Sequence, residues 1–296
     1  MVNKGVVSKD KTKLLLLPGI IVVVVTTQIP FLMTIIYSFL NYNLIRPDLG
    51  VSFAGLKNFS RILTDSEFYS VIVNTFYLTG VSLLLCTIVG IAVALLLDGE
   101  IPGINFVRTL ILAPFFVMTT VTGMIWKTLI LDGTFGWSGH ISNVLGVNLP
   151  DFFSQYPLTS IMLLIVWQWA PFFVLVILAG LQNIPEEIIE SSKIDGASWF
   201  STVVKIKIPM LTMHIQVAVM LGLIFIIKEF GLIHTTTAGG PGVLSNNLTY
   251  YVFKVVSLGS DVGRGAAIAV VTVILSVTVI TLLFNAIQKQ KDGQKL

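Results

Sequence analysis

The sequence predicts an all-α, polytopic membrane protein: a bundle of about six transmembrane helices with one long charged loop on the cytoplasmic side. Three observations predict it. Of the 296 residues, 55% are hydrophobic and only 11% are charged. An ordinary soluble domain carries about 25% charged residues, and a single soluble core stops growing near this chain length. Six windows are apolar over roughly 20 residues, the length that crosses the hydrocarbon core. None alternates apolar and polar residues as a barrel strand does, and only helices and closed barrels satisfy every backbone group in lipid.

In chain order the windows are 14–40, 69–97, 106–131, 158–181, 210–230 and 266–287. Together they read as one transmembrane domain, 1–296, with a short tail, 1–13, before the first window. That window is too long for the apolar part of a signal peptide, roughly 7–15 residues, and reads as a retained helix. The stretch 53–68 places Leu56, Phe59, Ile62 and Leu63 on one helical face, suited to packing on the bundle or to meeting a partner outside. Pro18, Pro30, Pro114 and Pro171 fall inside windows, where each removes a backbone hydrogen bond and is expected to kink its helix.

Lysine and arginine placement sets the orientation. With the N-terminus inside, the cytoplasmic side holds Lys4, Lys9, Lys11, Lys13, Arg108, Lys193, Lys205, Lys207, Lys289, Lys291 and Lys295, which is eleven of the eighteen. Both termini are therefore expected in the cytoplasm. The net charge of +3 gives no argument for a nucleic-acid partner, and the lone Cys86 excludes a disulfide framework.

The loop at 183–209 is the most informative segment. Asn183 and Glu186 have capping-box spacing. Glu186 and Glu187 suit a helix N-terminus and Lys193 its C-terminal end. Gly196 stands where a helix stops in a left-handed conformation. Ser198 is placed to cap a second short helix that Pro209 ends. The small Ser191 and Ser192 allow another backbone to approach closely. Ile184, Ile188, Trp199 and Phe200 are apolar groups directed at the cytosol. On physical grounds two readings stand side by side: a partner's docking surface, or an amphipathic hairpin lying on the inner leaflet.

Glu190-Ser191-Ser192, two residues, Asp195-Gly196-Ala197, then Ile206 and Pro209 resemble the EAA coupling loop of bacterial ABC importer permeases, whose pattern runs E-A-A, two residues, D-G-A, to a terminal proline. Ser191 and Ser192 replace two alanines, Val203 a phenylalanine and Ile208 a leucine; of these, Val203 would weaken a contact. Gly55-Leu56-Lys57-Asn58-Phe59 with Phe68 and Asn74-Thr75, then Trp126-Lys127, and Ala238-Gly239-Gly240-Pro241 are similar to segments of the carbohydrate-type, maltose-like permeases. The resemblance implies a subunit of an importer in the bacterial cytoplasmic (inner) membrane. Its partners would be a second homologous permease, two cytoplasmic ATPases that bind ATP and Mg, and an extracytoplasmic solute-binding protein. It also implies that the helix around Glu190 docks in a cleft on one ATPase, that Gly196 lets the loop turn, and that Asp195 holds the turn by capping or hydrogen bonding.

The residues themselves add negatives. No G-x-x-x-x-G-K-[ST] run exists, so this chain has no P-loop for nucleotide phosphates. His140, His214 and His234 show no metal-ligand spacing, and neither a metal nor a cofactor on this chain is expected. Lys228 and Glu229, near the end of the fifth window, are the notable intramembrane charges. Either one of them lines a solute path with Asn74, Thr119 and Gln168, or Lys228 reaches the interface and Glu229 pairs locally. A secondary transporter should show internal repeats and midplane carboxylates, and an enzyme should show convergent acid, base or metal residues. Neither pattern is evident, and neither rival explains the loop at 183–209.

Overall fold

A computed structural model describes residues 9–99 and 102–293. Lys4, Lys295 and residues 1–8 of the expected tail lie outside the described residues. The chain runs α1 (Lys9–Ser38), β1 (Leu40–Asn41), β2 (Ser52–Phe53), α2 (Lys57–Leu63), α3 (Ser66–Leu97), α4 (Ile104–Leu112), α5 (Thr119–Met124), α6 (Trp137–Leu145) and α7 (Phe152–Gln155). It continues as α8 (Pro157–Leu181), α9 (Glu186–Ile194), α10 (Trp199–Thr202), α11 (Ile208–Met210), α12 (Thr212–Ile226), α13 (Gly231–Thr235), α14 (Leu248–Phe253) and α15 (Val262–Gly293). The predicted helical membrane architecture is what forms. Among the described residues four helices are long and apolar enough to cross a bilayer, and two bent pairs raise the number to as many as six.

Two windows are broken rather than continuous. In the third, α4 passes through a short 3₁₀ turn at Ala113–Phe116 and α5 leaves it at 94°. Pro114 sits in that turn, and Val117 and Met118 are extended, so the i−4 ladder stops here. In the fifth, the segment ending in α11 meets α12 at 63°, and α12 ends at Ile226. Lys228 and Glu229 therefore stand beyond the helix, not within its outer end. The other prolines were expected to kink their helices. Pro18 and Pro30 lie inside α1 and Pro171 inside α8, with no break in either helix.

The described residues fall into two compact units. One comprises residues up to Asp65 with Val252–Val273, the other Ser66–Tyr251 with the residues from Ile274. In the first, β1 and β2 form a small antiparallel hairpin, Leu40 opposite Phe53 and Asn41 opposite Ser52. The Asn58 Nδ2 amide donates to the Ser38 and Leu40 carbonyls at 3.0 and 2.9 Å. Arg61 meets Asp261 at 3.5 Å, and Arg264 pairs with Asp65. The face expected over 53–68 is only partly real: Asn58 and Ile62 are the buried pair of α2, while Leu56 and Leu63 are exposed. The strand pairing of Phe53 and the break between α2 and α3 cut the stretch to seven helical residues.

The second unit is built on α3 against α8, the most extensive packing in the chain, with α12 laid on both. Lipid is as apolar as leucine, so helices in a bilayer associate through close packing, and small residues let backbones approach. Phe173 shows the result. A Cβ on Gly90 of α3 would lie 2.6 Å from the Phe173 Cβ, and one on Gly222 of α12 would lie 2.7 Å from its Cζ. The ring is seated between two glycines of neighbouring helices and is fully buried.

Candidate functional site: the 183–209 loop and the broken-span interior

The loop at 183–209 forms helix, turn and helix from local signals. Its first helix, α9, opens on Pro185 with no side-chain cap. The expected Asn183–Glu186 capping box does not form, because Asn183 belongs to the end of α8: its N–H reaches the Gly180 carbonyl and its side chain donates to Ala179 at 2.9 Å. Glu186 and Glu187 occupy the first turn of α9 and Lys193 the last, matching the helix dipole. The helix then ends in a Schellman motif. Gly196 has φ +78°, its N–H donates to Lys193 O, and the Ala197 N–H donates to Ser192 O, both at 3.0 Å. A Cβ on Gly196 would meet nothing within 4 Å, so the requirement for glycine is one of backbone conformation. Asp195 does not hold the turn as expected: it is exposed and makes no side-chain hydrogen bond among the described residues, and the backbone closes the turn alone.

Ser198 caps α10, its Oγ accepting from the Ser201 N–H at 3.3 Å. Ser192 is buried, donates to Ile189 O at 2.8 Å and lies 3.4 Å from Thr202 Oγ1. The close approach it permits is therefore that of α10, within the same loop. Ser191 and Glu190 are on the exposed face, Ala197 is half-buried and Pro209 is exposed. Val203, the departure noted above, is buried at 5% exposure. Ile188 and Ile184 are half-buried, whereas Trp199 and Phe200 are 69% and 70% exposed and Ile194 is 86% exposed. Sequence reading missed Ile194; its signal was a lone large apolar residue between Lys193 and Asp195. A π-helical turn at Val203–Lys207 and then α11 lead into the bend before α12.

Next to α9 lies a cleft of about 620 Å³ lined by Asp98, Arg108, Gln182, Glu186, Glu190, Lys193 and Lys207 among others. Lys207 Nζ meets Asp98 Oδ2 at 2.6 Å. Arg108 Nη2 donates to the Leu97 carbonyl at 2.8 Å.

The second set of expected residues is divided by the fold. Thr119 opens α5 directly after the extended Val117 and Met118, against Gly231 of α13. Gln168 of α8 is buried, and its Nε2 donates to the Val117 carbonyl at 2.6 Å, satisfying a group that the break exposes. Its Oε1 and the neighbouring Trp169 Nε1 are buried with no hydrogen-bond partner among the described residues. Around them stands an aromatic platform. Phe115 stacks on Phe172 at 5.5 Å, Trp169 stacks on Phe225 at 5.3 Å, and Lys228 Nζ lies 5.0 Å above the Phe225 ring. So Thr119 and Gln168 both stand at the break, and Lys228 joins the platform.

Asn74 and Glu229 are committed elsewhere. Asn74 donates to the Val243 and Leu244 carbonyls at 3.0 and 3.1 Å. Glu229 is buried, its Oε1 accepts from the Leu232 N–H at 2.9 Å, and its carbonyl accepts from Asn247 at 2.5 Å. Asn74 holds the segment that follows Gly239-Gly240-Pro241, and Glu229 caps the start of α13 with its carboxylate while its backbone carbonyl anchors Asn247. Gly239, at φ +76°, leaves no room for a Cβ beside Asn246 and Tyr250. Close by, a cavity of about 340 Å³ is lined by Lys127, Asp132, Asp151, Ser154 and Thr237 among others. The N–H groups of Phe135 and Thr134 hold the Asp132 carboxyl below the usual carboxylate range.

Comparison with known proteins bears on both regions. Residues 87–292 match the family described as "Binding-protein-dependent transport system inner membrane component". The trehalose/maltose transport system permease protein of Thermococcus litoralis is 33% identical, over 78% of this chain and 79% of that one. The trehalose transport system permease protein of Mycobacterium tuberculosis is 30% identical, over 92% and 86%. Among solved structures, a bacterial ABC transporter involved in the import of the acidic polysaccharide alginate superposes with a TM-score of 0.80, at 19% identity, covering 94% of this chain and 95% of that one. At that identity the superposition speaks for the fold.

Proposed function

The chain belongs to the family of binding-protein-dependent transport system inner membrane components, and from that membership we propose that it is one permease subunit of an ATP-driven importer of sugars, oligosaccharides or polyols. It is a multi-pass membrane protein with several apolar helices; both termini in the cytoplasm is the orientation that the lysine and arginine distribution favours. A second homologous permease completes the path, and an extracytoplasmic binding protein delivers solute. Two separate ATPases bind ATP and Mg, as this sequence has no P-loop of its own.

The observation that carries the coupling role is the loop at 183–209. It presents Ile194, Trp199 and Phe200 at 86%, 69% and 70% exposure, beside Glu186, Glu187, Glu190 and Lys193. Exposed aromatics rimmed by charge are what a partner's pocket takes up. The Schellman turn at Gly196 fixes the angle between α9 and α10, so a push on α9 reaches α12 through a short, folded segment rather than a slack one. In the interior, the Gln168 amide, Thr119 and the aromatic platform offer the hydrogen bonds and flat apolar faces that suit a sugar. Lys228 extends that surface. Asn74 and Glu229 serve it indirectly, by fixing the 239–247 turn.

Extraction of a tagged copy in mild detergent tests the assignment. Recovery of a second permease chain and an ATPase, with the ATPase lost when Gly196 and Glu190 are both replaced, supports it. Recovery of the chain alone, transporting in liposomes under an ion gradient, refutes it. Glu229→Gln keeps an oxygen to accept from Leu232. Unchanged uptake with unchanged KM is the outcome expected of a positioning role, and a raised KM would return Glu229 to the solute path.

A further inference from the structure

Nothing above explains the 620 Å³ cleft beside α9. It separates part of α9 from the end of α3: Glu186, Glu190 and Lys193 line it, and among the described residues none of the three makes a side-chain hydrogen bond or ion pair to α3 or α4. Across it the structure places one ion pair. Lys207 closes the π-helical turn at the far end of the loop, and Asp98 directly follows the last residue of α3. Their charged atoms are 2.6 Å apart, with side chains 18% and 19% exposed, and they stand 109 positions apart in sequence. Single π-turns inside helices are frequent at functional sites. This one ends on the residue that reaches Asp98. The end of α3 is also held by Arg108, which lines the same cleft and donates to the Leu97 carbonyl, a favourable place for a cation.

We propose that Asp98 and Lys207 are positioning residues that tie the loop at 183–209 to the end of α3, so that a displacement of the loop carries α3 with it while α9 itself stays free over the cleft. The proposal rests on the coupling role assigned to this loop and adds the route by which its motion enters the bundle. Because α3 packs along α8, a tie at the tip of α3 would move the helix against which Phe173 of α8 is seated. Being largely shielded, the pair is screened less by salt than a surface pair, and a formal charge on each side is needed for it to hold.

Spin labels on Leu96→Cys and Lys205→Cys, both exposed positions, in a Cys86→Ser background and in the purified complete transporter, test it. The expected result is one narrow distance that is the same without nucleotide and in the vanadate-trapped state. Asp98→Asn or Lys207→Gln should broaden it, and the exchanged pair Asp98→Lys with Lys207→Asp should narrow it again. The same single substitutions should lower ATP hydrolysis stimulated by the binding protein by about fivefold, within the range seen for residues that modulate coupling. A narrow distance that survives either single substitution, or an exchange no better than the singles, overturns the tie. If the wild-type assembly hydrolyses no ATP, it is the ATP-driven reading that fails, and the nucleotide-free distances still decide whether the tie exists.

Discussion

α1 and α8 have nearly the same mean hydropathy over their apolar windows, 2.2 and 2.4, yet 0% of the first window is buried and 61% of the second. Hydropathy measures what a helix can tolerate around it, and lipid and protein neighbours are almost equivalent by that measure. Both helices carry a minority of small and polar residues, Gly19, Thr26, Thr27 and Gln28 among those of α1, so what separates the two is whether other residues of the chain close on them. α8 carries Ser160, Gln168 and Gly180, all buried. A Cβ on Gly180 would sit 2.6 Å from the His214 ring, whereas one on Gly19 of α1 would meet nothing within 4 Å. Glycine in α8 is a packing requirement; glycine in α1 is surrounded by open space within this chain.

The largest expected effect breaks the packed side of that comparison. Gly90→Val should force Phe173 and α8 away from α3, an overpacking cost of about 1–3 kcal/mol, read as a lowered melting temperature of the detergent-extracted protein. Gly19→Val should leave that temperature unchanged. If the two lowered it equally, α1 would have to be packed against this chain after all. Next comes Gly196→Ala, which asks an L-residue to hold a left-handed turn at about 1–2 kcal/mol with no steric clash to add. It should weaken recovery of the ATPase while leaving the melting temperature of the bundle in place, and a drop in bundle stability instead would mean that the loop is part of the packed core. The smallest effect sharpens the polar side. Gln168→Leu removes the donor to the Val117 carbonyl, and interhelical hydrogen bonds in bilayers are worth about 0.6 kcal/mol. A slight fall in stability together with a raised KM for maltose as the probe solute is expected, and no change in KM would remove Gln168 from the solute path.

The sequence was most legible where one local rule decides the outcome. Gly196 and Ser198 take the conformations their residue types favour, because a Schellman turn and an N-cap depend on a few neighbouring residues. The six apolar windows are equally plain, since length and composition alone define them. The 94° break after Pro114 was not legible: three other prolines lie within helices that continue, and what makes this one different is a carbonyl at Val117 that finds the amide of Gln168. Glu229 and Asn74 looked like groups facing a path because their partners, Leu232 in the short α13 and Asn247, Val243 and Leu244 in the turn after it, belong to a segment whose folded course periodicity does not show. Asp98 and Lys207 gave no hint of one another across 109 residues. Asp195 was overrated for a simpler reason, since the backbone of the turn needs no help from its side chain.

The break in the third span also sets an order of events during synthesis. α1 can leave water for lipid as soon as it emerges, since nothing else in the chain need be present to cover it. The Val117 carbonyl, by contrast, has to wait for Gln168, 51 residues downstream, which is roughly 3–10 s at ordinary rates of translation. Through that interval the segment around Pro114 holds an unanswered backbone group, and its natural refuge is the water and polar surface of the insertion machinery. The bent span should therefore be the last of the early helices to settle, released into the bilayer together with α8.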